Sequence, residues 1–362
     1  MPHDRAERFL SGHKPGTQRT YSFQIADHLS YLRARRLHEE TVEFRHLQQY
    51  MGACGADYAG PLLGVWLEVP LTVRGLGVRA AAVKGYYLNV LRSESLNPEL
   101  LAALDRTNLP SKADQQRSRF DGRSNQKGLK NPLAPPTPPR RDVRLLPDGT
   151  ITQLLQPGVL KTARDIMIVT WLADMGPRIG ELCGLRFCDL HLRTNHTCGE
   201  RREPHIHIVK RDDNSNRARA KRGSAGSVTG GVVRGGTTRR VSPAMIDTYN
   251  EYLTTDYYRL RAMTTSDLVL VRLANDAGQP LTTHGARQML YRASARAKLG
   301  KVNPHAFRHH WATALAEATG GDARAVAAEG GWASAETVER TYVHLANSPA
   351  LDQALVKVWE RP

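Results

Sequence analysis

Cysteine is scarce in this chain of 362 residues, with four positions, Cys54, Cys183, Cys188 and Cys198, at irregular spacing. So few thiols, so spaced, exclude a disulfide framework and fit a reducing compartment. No Cys-x-x-Cys pair occurs among Cys183, Cys188, Cys198 and the nearby His196, so no metal centre is expected and inert thiols are the default. Nowhere do about 18 apolar residues run together, which excludes a membrane-spanning helix. Met1 to Gly16 are polar and charged and lack the apolar core of a signal peptide, so a cytoplasmic location is expected. No internal repeat is visible. Acidic residues are also in deficit: 35 stand against 51 lysines and arginines, a formal net charge of +16. An excess this large points to a polyanion, and nucleic acid is the first candidate.

The length suits two domains, and the pattern divides accordingly. From Thr17 to about Arg106 it is helical. Tyr21, Ile25, Leu29 and Leu32 form one apolar stripe at helical spacing. A second helix is expected from Glu40 to about Met51, with Thr41 near its start, and a third from Arg79 to Arg92. Val83, Tyr86, Tyr87 and Val90 would line one side of the third, flanked by Arg79, Lys84 and Arg92 as candidate phosphate contacts. Asn97-Pro98 should stop the run, because a residue before proline is pushed out of helical geometry. Residues 1–108 thus predict a small all-α domain. Residues 109–144, with Pro132, Pro135, Pro136, Pro138 and Pro139 among Ser, Gln, Lys and Arg, predict an extended basic linker.

Residues 145–362 predict a second domain, mostly α with a small antiparallel β-sheet. A buried helix is expected over Lys161–Asp174 and a break at Met175-Gly176-Pro177. Another helix should begin at Arg178. His205–Val209 alternates with period two and reads as a strand, with Thr237–Val241 as its partner across a polar, glycine-rich stretch. Helices follow at about Ala244–Leu253, Arg287–Ala297 and around His305. A break at Gly330-Gly331-Trp332 leads to a short helix carrying Tyr342. A closing helix, Pro349 to Trp359, would put Leu351, Leu355 and Val358 on one face.

Three sets of residues carry chemistry. Arg178 stands one turn before Glu181, whose carboxylate can fix the guanidinium in a bidentate pair. His305 and Arg308, three apart on a helix, share a face and can point at one anion. Tyr342 returns toward them after the glycine break. A hydroxyl, an imidazole and guanidinium groups converging on a phosphate would make a phosphoryl-transfer site that needs no metal.

In order and spacing these sets resemble the tyrosine recombinase family, the phage-type integrases. The resemblance rests on Gly176-Pro-Arg178-Ile-Gly-Glu181-Leu-Cys-Gly-Leu185-Arg186, on His305-Ala-Phe-Arg308-His309-His310, and on Gly331-Trp332 with Tyr342-Val-His344 after it. It extends over nearly the whole chain, since the N-terminal region looks like the family's helical core-binding, SAM-like domain and the remainder like its α+β catalytic domain. The resemblance implies that Tyr342 is a nucleophile forming a 3′-phosphotyrosine, that Arg178, His305 and Arg308 stabilise the phosphate, and that Glu181 supports Arg178. The family's usual histidine in the third box is here Trp332, whose indole N–H could bond a phosphate oxygen but cannot titrate. The family's general acid is a lysine on the hairpin before the second box. Lys221 is the preferred candidate and Lys210 the alternative. His309 and His310 are read as packing residues, and His344 as positioning the nucleophile helix or lying at the surface.

The expected protein is therefore a site-specific recombinase acting on double-stranded DNA without cofactor. It would form a homotetramer on two DNA sites, with the closing helix docking between protomers, and would serve a mobile element beside the nucleoid, possible DNA-bending or directionality proteins assisting. A type IB topoisomerase-like enzyme and a non-catalytic DNA-binding relative are the alternatives.

Overall fold

The computed structural model describes residues 3–56, 66–105, 131–135, 145–221 and 226–343. Most of the linker, His344 and the closing helix expected at Pro349 to Trp359 lie outside the described residues. The chain divides into two units, Met1–Arg141 and Asp142–Pro362. The expected class is found: helices dominate, with small antiparallel sheets in the second unit.

The first unit holds α1 (Asp4–Ser11), α2 (Pro15–Ala34), α3 (Phe44–Ala53), α4 (Val73–Glu94) and α5 (Pro98–Asp105). Of the stripe on α2, Ile25 and Leu32 are buried, while Tyr21 and Leu29 pack against the core from its margin. Helix α3 starts later than expected because Glu43, not Thr41, caps it, in a reciprocal box with His46. Asn97-Pro98 stops nothing: α4 has already ended at Glu94, and Pro98 opens α5. There Asn97, at φ 40°, accepts from the Leu100 N–H and donates to the Val42 carbonyl. Arg79 is not a phosphate contact. It is buried, and its Nη1 donates to Asp27 Oδ2 at 2.7 Å, on a carboxylate that Tyr50 and Trp66 also bond. Arg92 pairs with Asp105.

The second unit is built around α7 (Ala163–Met175), after a short α6 (Thr150–Leu154). Helix α7 is buried on most sides, and Trp171 donates its indole N–H to the Met245 carbonyl of α9 (Pro243–Tyr252) at 3.0 Å. Helix α8 (Ile179–Cys183) follows, and then a sheet of β1 (Leu190–His191), β2 (His205–Ile208) and β5 (Thr237–Arg240), antiparallel in that order. A separate hairpin, β3 (Gly226–Thr229) with β4 (Val232–Gly235), occupies part of the stretch read as polar and glycine-rich; its turn is Gly230-Gly231, both at positive φ. The period-two pattern of β2 does not mark one wet face, since all four residues are buried. Ile206 and Ile208 enter the helical core, while His205 and His207 are covered by Cys198 and Gly235 on the opposite face. Helices α10 (Thr283–Arg296), α11 (Pro304–Ala318), α12 (Ala323–Gly330) and α13 (Ala335–Glu339) complete the unit.

Candidate active site

Arg178 caps α8 and folds back on it. Its backbone N–H donates to Glu181 Oε2 at 2.9 Å and its Nη1 to Oε1 at 2.6 Å. Glu181 is buried and also accepts from Arg239 Nη2 at 3.1 Å. Burial pushes this carboxyl up, but the charges of Arg239 and then Arg178 outweigh it and hold it below the usual carboxylate value.

Arg308, one turn after His305 on α11, is 1% exposed. Among the described residues it pairs with no carboxylate. Nη1 donates to the Gly176 carbonyl at 2.9 Å and Nη2 to the Gly330 carbonyl at 2.7 Å. These carbonyls stand at the C-terminal ends of α7 and α12, where orphan C=O groups and the helix dipole favour a cation. Glycine is required at 176 twice over: φ is 58°, and a Cβ would lie 2.8 Å from Trp311. Burial, Arg239 and Arg178 push Arg308 down to about 9, still protonated at neutral pH.

Arg239 was not singled out in the sequence. On β5 it is as buried as Arg308, and its Nη2 also reaches the Gly330 carbonyl, at 2.8 Å. Its Nε and Nη1 have no partner among the described residues. Among the described residues, Glu181 is the one carboxylate in direct contact with these three guanidinium groups. Buried uncompensated charge is costly, and a phosphate would relieve it. The sequence signal was faint, an arginine in a strand paired with the wholly buried β2.

Tyr342 is 2% exposed and lies in the turn after α13, not on that helix; its N–H still bonds the Val338 carbonyl at 2.8 Å. Its hydroxyl is 2.9 Å from His309 Nδ1. Burial raises the phenol, with Arg308 and Arg178 pulling the other way. His309 is therefore more than packing. Burial, His305 and Arg308 push it down to about 4, so it is neutral at physiological pH, and with the proton on Nε2 its Nδ1 accepts from the tyrosine. Trp332 works by its ring face: the Arg308 guanidinium lies 3.7 Å from its centroid, and its edge meets the Tyr342 ring at 5.5 Å. A Cβ on Gly330 would fall 1.7 Å from this indole, so Gly330 makes room for it.

His305 opens on a cavity that Arg178, Arg217, Arg219 and Arg287 also line, and its ring meets that of His309 at 4.3 Å. Burial, then Arg308, Arg178 and Lys221, hold it below its ordinary value. Lys221 is therefore close enough to be felt. It ends a segment in which Ala218 and Ala220 are buried while Arg217, Arg219 and Lys221 face outward. Asn214 bonds the Ala218 carbonyl and Asn216 the Cys183 carbonyl, tying that segment to the end of α8. Lys210 is exposed just beyond β2. The structure thus joins Arg178, Glu181, Arg308, Trp332 and Tyr342 by direct contacts or shared partners, with His305 on the cavity and Lys221 near enough to act on His305 by its charge.

Residues 232–348 match the model of the phage integrase family, and the chain carries a domain of that family there. This is the family that the order of the three motifs predicts. Among solved structures, the lambda integrase tetramer bound to a Holliday junction is similar at 13% identity over 92% of this chain and 77% of that chain, with a TM-score of 0.50. XerH site-specific recombinase bound to palindromic difH substrate is 16% identical over 95% and 80%, at 0.49. XerA recombinase is 19% identical over 99% and 98%, at 0.42. At these identities the likeness is one of fold. No curated protein matches the chain by sequence. No described helix is long and apolar enough to cross a membrane.

Proposed function

We propose that this chain is a site-specific DNA recombinase that cuts and rejoins strands through Tyr342. The observation that carries the reading is the Tyr342 hydroxyl, held 2.9 Å from a neutral His309 and beside the indole that supports Arg308, in a cluster with more guanidinium than carboxylate charge. The tyrosine oxygen attacks a DNA phosphorus while its proton passes to His309. The bond from phosphorus to the 5′ oxygen breaks, leaving a 3′-phosphotyrosine, and Lys221 gives that oxygen its proton. Arg178, Arg308 and His305 take the charge that grows on the nonbridging oxygens, and Arg239 adds its two unpaired donors from behind. Glu181 fixes Arg178 and Arg239, and Trp332 fixes Arg308. The ester conserves the bond energy, so a 5′-hydroxyl from a partner duplex can reverse the step and exchange strands.

On the same reading residues 1–108 form a helical clamp on the duplex, residues 109–144 a basic linker, and 145–362 the catalytic domain. Four copies act on two DNA sites through the C-terminal segment. The lambda integrase, which shares this fold and was crystallised as a tetramer on a Holliday junction, supports that assembly by analogy. The test uses duplexes covering the ends of the element that encodes the chain, nicked so that the 5′-hydroxyl diffuses away after cleavage. The parent chain should give a covalent adduct and joint products, and Tyr342→Phe neither. On a supercoiled plasmid carrying the same ends, relaxed circles without joint products would favour a topoisomerase, and no adduct on the nicked duplex a non-catalytic binder.

A further inference from the structure

Outside the catalytic cluster, four buried side chains converge on the far face of the sheet: His191 of β1, Cys198 in the loop that follows, and His205 and His207 of β2. Their nearest donor atoms all lie within 4.8 Å of one another. The backbone brings them there. His205 and His207, two apart on a strand, share a face, and His191 is the antiparallel partner of His205.

Each imidazole is already bonded through one nitrogen to a main-chain carbonyl. His205 Nδ1 is 2.7 Å from the Glu203 carbonyl, His207 Nδ1 2.7 Å from that of Gly235, and His191 Nε2 3.2 Å from that of Cys188. Since a carbonyl only accepts, these nitrogens carry the protons, which leaves lone pairs on His205 Nε2, His207 Nε2 and His191 Nδ1. Those lone pairs face one another with a thiol: His191 Nδ1 and Cys198 Sγ lie 3.3 and 3.2 Å from His205 Nε2. One thiol proton cannot satisfy three acceptors. His207 Nε2, fully buried, has no hydrogen-bond partner at all among the described residues. A tetrahedral zinc ion with bonds of about 2.05 Å to nitrogen has ligand edges of about 3.3 Å.

We propose that His191, Cys198, His205 and His207 form a structural zinc site. All four positions are filled by protein atoms, which leaves no place for substrate and makes the site structural, not catalytic. The ion displaces the Cys198 thiol proton to solvent and binds the thiolate with three neutral imidazoles. The carbonyl bonds just named fix the rings, as outer partners of zinc-binding histidines do. His196 stacks on His191 at 3.6 Å and accepts the Cys198 N–H, and Glu200 brings a carboxylate oxygen to 3.9 Å from His207 Nδ1. The site pins the 191–205 loop to β2, whose Ile206 pairs with Arg239. It would thereby hold in register the strand that carries Arg239.

The full-length chain, purified without a histidine tag or chelator, should contain about one zinc per chain by inductively coupled plasma mass spectrometry. After stripping, Co2+ alone should give the visible bands of tetrahedral cobalt with a thiolate charge-transfer band. Cys198→Ala, a small apolar change, should lose that band and weaken zinc binding by about tenfold or more. Negligible zinc with no Co2+ uptake by the folded chain, or unchanged zinc affinity in Cys198→Ala, would overturn the proposal. No DNA enters these measurements, so their outcome is independent of strand cleavage.

Discussion

A neutral imidazole against a phenol hydroxyl can take one proton, and His309 is so placed for Tyr342. If it is the base, His309→Phe should slow single-turnover strand cleavage by about 10²–10⁴-fold and shift the residual rate toward alkaline pH, while DNA binding stays intact. An unchanged rate and profile would remove His309 from the chemistry. Its neighbours were legible to different degrees. Arg178, Glu181, His305 and Arg308 could be read directly, because a helix fixes what residues three apart share. His309 was taken for packing, since its contact is with a residue 33 positions on, brought back by the turn after α13. Arg239 was passed over for a related reason: its inward direction depends on which strand β5 pairs with. Trp332 was singled out as a hydrogen-bond donor, but its stack on Arg308 could not be read, because it depends on Gly330 leaving room.

Among the elements, α8 packs against the segment ending at Lys221 at Gly180, where a Cβ would fall 2.6 Å from the Arg219 carbonyl oxygen. Gly180→Ala must push that backbone, and Lys221 with it. Cleavage should fall by about tenfold or more, and a leaving group that needs no proton, a 5′-bridging phosphorothioate, should restore it. Loss that persists with this leaving group would exclude Lys221 as the acid. In the first unit, His28 of α2 bonds the Tyr87 hydroxyl of α4 at 3.0 Å, fully buried. Burial, then Arg79, push its value from 6.5 to about 3. Its folded value lies below its unfolded one, so the unfolded chain binds the proton that the folded chain refuses. The contribution of neutral His28 is full above pH 6.5 and is lost as pH falls toward 3. Denaturant midpoints should decline over that window for the parent and less for His28→Gln; equal declines would contradict it. The long helices were visible in the sequence through their apolar stripes. Helices α1 and α5 and the β3–β4 hairpin were not, being short, with packing and turn geometry deciding where they form.

For the molecule as a whole, a formal charge of +16 makes DNA affinity a matter of displaced counterions. Fluorescence anisotropy on the full chain should show log affinity falling linearly with log salt, by about 10³ or more between about 50 and 200 mM. Salt-independent binding would mean that the basic surface is not the contact. The composition told this much in advance, and the motif order told the family, while the charge imbalance at the centre of the site emerged only from the packing of β5, α7, α11 and α12. On the proposed mechanism this imbalance serves an attack by Tyr342 on a DNA phosphate. Peptide mass spectrometry of the adduct trapped on a nicked duplex tests it most directly. The expected adduct is a nucleotide joined through its 3′-phosphate to Tyr342 and to no other residue; an adduct on another side chain, or a 5′-phosphate linkage, would rule out Tyr342 as the nucleophile.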